Sequence, residues 1–125
     1  IVISKVRPYR GAITIIDEDK KDLIGSGAFT VLRENSTYKK EIILLLFRTN
    51  IYKEWLLKWN VGTSYPVIKD EDILNLPIPL LPDSIQSTIA DLLQKSIRHK
   101  KKSLELLNDA VKLVEKEIEK NIDNK

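Results

Sequence analysis

The spacing of apolar residues changes character along the chain. From Ile1 to Leu32 they come in short β-branched runs, and from Tyr38 to Trp59 they fall at helical spacing. From Leu76 to Pro82 they alternate with prolines, and from Asp83 onward they recur in steps of three and four. Ile1 to Val6 and Gly11 to Ile16, separated by Arg7-Pro8-Tyr9-Arg10, read as two strands or one bent strand. Asp17 to Asp22 is a charged turn, and Ala28 to Leu32 is a third strand entered through Gly25-Ser26-Gly27. Tyr38 to Thr49 predicts a helix carrying the apolar run Ile42 to Phe47, and Ile51 to Trp59 continues it after a break near Asn50. Gly62 fits the stop signal of that second helix. Val67-Ile68 reads as a short strand, and Lys69 to Leu74 as one helical turn with Asp70 as its cap.

Pro77, Pro79 and Pro82 each remove a backbone donor, so the strap they punctuate is neither helix interior nor central strand. It reads as an extended connector, with Leu76, Ile78 and Leu80 inserted between the domain and the base of the next helix. Asp83 with Gln86 three residues later fits a capping box. No Gly or Pro follows until about Ile122, which predicts a helix of about 40 residues, roughly 60 Å long. Ile97, Lys100, Leu104, Leu107, Val111, Val114 and Ile118 form a heptad seam. An earlier seam of Ile85, Ile89, Leu92 and Ser96 is offset by one residue, marking where the helix changes from packing on the domain to packing on a partner. About three heptads make a lone helix marginal in water, so a second helix is expected.

The order of these segments resembles the target recognition domain and following conserved helix of type I restriction–modification specificity subunits. The residues that carry the resemblance are Gly62, Thr63, Pro66 and Ile68 in a polar loop, and Ile73, Pro77, Ile78, Pro79, Leu80 and Pro82 in the strap. Gln86, Ile89, Ala90 and Leu93 at the helix start continue it, and it extends upstream to Val6–Gly11 and Gly25–Leu32. The resemblance implies an α+β fold: a small twisted β-sheet with packed helices, followed by a long C-terminal coiled-coil helix. The expected division is a recognition domain over residues 1–82 and a spacer helix over 83–125. It further implies duplex DNA binding, an antiparallel partner helix and docking of DNA adenine methyltransferase subunits. Methylation and cleavage would then reside in partner subunits, with S-adenosylmethionine bound by the methyltransferase. Two alternatives stand beside this: the specificity region of a fused methyltransferase–specificity polypeptide, and a coiled-coil interaction module without DNA function.

Composition narrows the picture. A chain of 125 residues with 31% charged and 42% hydrophobic residues is an ordinary soluble domain, or a small domain plus a long helix. With no cysteine, disulfides, thiolate metal sites and cysteine nucleophiles are excluded, and a cytoplasmic home is the default. No apolar run is long enough to span a membrane. The absence of any Met and the start at Ile1 lead us to expect a piece of a longer product: a truncated chain, a half-subunit that dimerises, or the tail of a fused enzyme. The net charge of +3 does not by itself mark a nucleic-acid binder.

Local charge says more. Lys5, Arg7, Tyr9 and Arg10 mix cations with an aromatic in a turn, where side chains reach phosphates or base edges; the competing reading is a solvated turn. Ser26 sits in a Gly-Ser-Gly turn that lacks the Lys and helix of a nucleotide loop. Arg33 ends the third strand. Thr63, Ser64, Tyr65 and Lys69 suit backbone phosphate contacts, against a loop merely shaped by Gly62 and Pro66. Arg98 to Lys102 lie on a helix and spread around it, so they form no DNA-facing stripe. His99 has no companion ligands and is no metal site. Trp55 and Trp59 share a helix face, where core packing beside Leu56 is favoured over base stacking. Catalysis finds no support: one His without a nucleophile elbow gives no triad, and no adenine methyltransferase motif is present. Ile97, Leu104, Leu107, Val111, Val114 and Ile118 remain as the helix-pairing candidates, with a homodimer through this helix as one outcome.

Overall fold

The computed structural model describes residues 1–16, 22–34, 37–59 and 66–123, with side chains in the last helix described to residue 120. The chain is α+β. Three short strands, β1 (Val2–Ser4), β2 (Ile13–Thr14) and β3 (Phe29–Val31), form an antiparallel sheet in the order β2-β1-β3. Ile3 stands opposite Ile13 on one side and Thr30 on the other. Side chains alternate across a sheet, so these three share one face, and all three are buried. Phe29 and Val31 therefore face the other way and are exposed.

The apolar run in the middle of the chain supplies much of the core. Helix α1 (Lys40–Leu46) buries Ile42, Ile43 and Leu44, and Phe47 follows it into the core. It begins two residues later than the pattern predicts. Lys39 is extended, and its N–H donates to Gln86 Oε1 at 3.1 Å instead of entering the helix. Helix α2 (Asn50–Lys58) starts where the break was expected: Thr49 Oγ1 caps it by accepting from the Tyr52 N–H at 3.4 Å. Tyr52 and Leu56 are buried, and the rings of Phe47, Tyr52 and Trp55 follow one another at centroid distances of 5.6 and 5.5 Å. Trp55 is half-buried, but Trp59 is 42% exposed, which corrects its expected place in the core. The turn at the end of α2 carries Trp59 off the buried face that Tyr52 and Leu56 define.

Helix α3 (Asp70–Leu74) is the expected single turn with a different cap. Lys69 occupies the cap position, and Asp72 accepts from its N–H at 2.7 Å. The strap that follows is extended. Its prolines leave it rich in acceptors, and side-chain donors from elsewhere meet them. Tyr52 Oη donates to the Pro77 carbonyl, Tyr38 Oη to Ile78 O at 3.4 Å, and Gln86 Nε2 to Leu81 O at 3.0 Å. Burial pushes the Tyr52 phenol above its usual pKa, helped by Tyr38. Leu76 is 5% exposed and Ile78 half-buried, but Leu80 is 80% exposed, so the third expected insertion does not occur. Period-two alternation would place Leu80 on the side of Leu76 and Ile78, but the strap has run out from under cover by then: Pro79 and Leu80 are both exposed.

Helix α4 spans Asp83–Asp123, 41 residues without interruption. The Pro82 carbonyl accepts from the N–H groups of Ile85 and Gln86, so Pro82, not Asp83, sits at the cap. Gln86 is not half of a capping box. It is 2% exposed, and its amide also donates to Thr37 O at 3.0 Å. The earlier seam is displaced as well: Gln86 and Ala90 are buried, while Ile85 and Leu92 are exposed. Burial thus continues two turns into α4, and the chain divides into a unit of Ile1–Ala90 and a second unit from Asp91 onward. The second unit is helix alone, with Ile97, Leu104, Leu107, Val111, Val114 and Ile118 between 48% and 61% exposed.

Candidate nucleic-acid interface

Antiparallel register fixes which candidates meet. Ser4 pairs with Phe29 at one end of the sheet, and Val2 pairs with Val31 at the other. The Lys5 N–H donates to Ala28 O at 2.8 Å, which brings the Ser26 turn beside the exit of β1. There Ser26 Oγ accepts from the Ala28 N–H at 3.3 Å, so the hydroxyl closes its own turn. Val6 bridges to Val67, the Arg7 N–H donates to Pro66 O at 2.8 Å, and the Ile68 N–H donates to Lys5 O at 3.2 Å. The end of the polar loop is thereby sewn to the start of the cationic turn. Thr63, Ser64 and Tyr65 lie outside the described residues; Lys69, exposed, follows directly on the sewn segment.

The turn is a single 3-10 turn, Pro8–Arg10, packed on α2. Buried Pro8 fixes its first φ, and Arg10 is exposed. Arg7 enters it with φ 50° and ψ 53°, the left-handed region. For a residue with a Cβ this costs about 1–2 kcal/mol. The Pro66 and Arg7 hydrogen bonds on either side hold it there. Gly11 leaves the turn at φ 65°, where glycine bears no such penalty.

Lys5 is engaged differently. Its Nζ donates to Asp70 at 3.2 Å, and its side chain is only 16% exposed. The hydroxyl of buried Thr30 donates to the same carboxylate. Thr30's bond first, then Lys5, holds the Asp70 carboxyl below its usual pKa, against an opposing effect of desolvation. Asp70 thus ties β1, β3 and α3 together. Local spacing marks Asp70 only as a helix cap, because it shows the helix start and not the threonine 40 residues away. Arg33 follows Leu32, whose N–H donates to Ile1 O at 2.8 Å, and so stands at the opposite end of the sheet from the other candidates.

One end of a small sheet therefore gathers the cationic turn, the Ser26 turn and the segment leading to Lys69, and the long helix follows a proline strap. The sequence matches the family model of the type I restriction modification DNA specificity domain over residues 1–112. The chain belongs to this family. No curated protein and no solved structure gives a significant match. Membership assigns this specificity domain a DNA-recognition role in a type I restriction–modification system. Among its described residues, no group of three or more His, Cys, Asp or Glu is placed to hold a metal ion, and no helix is long and apolar enough to cross a membrane.

Proposed function

We propose that this specificity domain binds duplex DNA through the sheet end that carries Arg7, Tyr9, Arg10, Ser26 and Lys69, with Thr63, Ser64 and Tyr65, which lie outside the described residues, as further contacts from the polar loop. The carrying observation is the hydrogen bond from the Arg7 N–H to the Pro66 carbonyl, which joins the cationic turn to the loop. Lys5 acts by positioning, through Asp70. Arg and Lys here meet phosphates, which set affinity and register. Arg33 takes no part in the same contact surface. In this reading α4 is the assembly element: Ile97, Leu104, Leu107, Val111, Val114 and Ile118 pair with a second helix in a coiled coil. DNA adenine methyltransferase subunits dock there and bring S-adenosylmethionine, in the cytoplasm. Leaving that stripe in water exposes a long apolar surface of the kind that marks partner sites. A homodimer satisfies the stripe when no other partner is present.

The test titrates a labelled duplex at several salt concentrations. Arg7→Gly with Arg10→Ala keeps the left-handed backbone and removes both cations. It should flatten the dependence of log affinity on log salt by about one unit for each phosphate no longer neutralised. Arg33→Ala should leave the slope unchanged. Equal slopes for the parent and the double variant would place the DNA elsewhere.

A further inference from the structure

A cation on α2, outside the turn itself, lies against the turn's exit. A Cβ built on Gly11 would stand 2.9 Å from Lys53 Cε and 3.7 Å from Lys53 Nζ. The Lys53 side chain therefore crosses the bare backbone of Gly11, the residue next to Arg10, and is half-buried in doing so. Among the described residues its ammonium has neither a hydrogen bond nor a salt bridge, whereas Lys5 of the same sheet end is paired with Asp70. An unneutralised ammonium held at the exit of a turn that carries further cations raises the local positive potential, and an anion is what such a surface accepts.

We propose that Lys53 is a phosphate-contacting residue of the DNA interface, placed by its passage over the bare backbone of Gly11. This rests on the reading that the Arg7–Arg10 turn meets DNA. It adds a contact from α2, which no motif in the sequence marks. Gly11 has a positive φ that favours glycine, and the far end of Lys53 lies over it closely enough that a Cβ there would displace the ammonium. The anion is a DNA phosphate because exposed Arg10 directly precedes Gly11 in the chain and because the family's ligand is DNA.

The experiment measures the salt dependence of duplex binding for the parent, Lys53→Met, Lys53→Gln, Lys53→Arg and Arg10→Ala, each checked by thermal melting. Lys53→Met should melt with the parent and flatten the slope of log affinity against log salt by about 0.9. Lys53→Arg should restore that slope. Lys53→Gln gives the same reading should the methionine variant fold poorly. A slope unchanged in both neutral variants, while Arg10→Ala flattens it, overturns the role of Lys53 and leaves the turn as the interface. A slope unchanged in Arg10→Ala as well removes the interface reading itself.

Discussion

The strap and the far half of α4 both present apolar side chains in regular order, and they differ in what meets them. In the strap, the acceptors left by three prolines are met by Tyr52, Tyr38 and Gln86, and Leu76 is buried. Beyond Ala90, every described position from residue 95 to 120 is exposed, including the whole heptad seam. The first arrangement is complete within the chain. The second has a backbone satisfied by its own helix and a side-chain stripe that is not. Stability therefore resides in the unit that includes the strap, and the free energy still to be gained by burying surface resides in α4.

The strongest way to break this comparison is to charge the strap. Leu76→Asp would bury an unpaired carboxylate at a cost on the order of 4 kcal/mol, which should lower the melting temperature by roughly 15–30 °C. Leu80→Asp, two prolines further on, should melt within a degree or two of the parent. Equal losses at the two positions would mean that the strap is buried along its whole length.

Gln86→Leu should come next. It removes bonds to Thr37, Lys39 and Leu81 at once and leaves three backbone groups without their partner, at a cost of about 2–4 kcal/mol. A small or absent change in melting would show that water replaces the amide without loss.

On the helix the expectation reverses. Leu107→Glu with Val114→Glu should change the melting of the globular unit by no more than about 0.5 kcal/mol, as surface substitutions do. It should abolish the self-association that the proposed helix pairing predicts for the parent in light scattering at tens of micromolar. A parent that scatters as a monomer would leave the stripe to another protein.

The smallest effect is a pH dependence. Asp70 has its pKa lowered in the fold, chiefly by Thr30 and then by Lys5. Its contribution is therefore fully present above the unfolded carboxylate value of about 3.9 and is lost as pH falls through the folded value. Asp70→Asn should flatten the decline of melting temperature below about pH 4 relative to the parent. An identical decline would assign acid sensitivity to other carboxylates.

Much of this architecture was legible, and the failures share a cause. Ile42 to Phe47, the break before Asn50, the strap and the uninterrupted α4 are all written in local pattern, because period and proline act on the residues that carry them. Asp70, Gln86 and Leu80 were misplaced because their roles depend on residues far along the chain. Asp70 is claimed by Thr30 and Lys5, Gln86 by Thr37 and Lys39, and Leu80 is left outside by the path of the strap. At the candidate site, Arg7, Tyr9 and Arg10 stood out as cations and an aromatic between strands. Lys53 did not, because on α2 it looks like any solvated helix lysine. Only the fold sets it over Gly11.

The central claim is that one end of the sheet meets DNA while the far half of α4 does not. Amide hydrogen exchange of the chain, with and without a random-sequence duplex at low salt, tests it residue by residue. The account predicts slowed exchange at Arg10, Gly11 and Ile68, whose N–H groups close the turn and join it to the segment after the loop, and no change beyond Ala90. Protection confined to α4, or to the Arg33 end of the sheet, would contradict it.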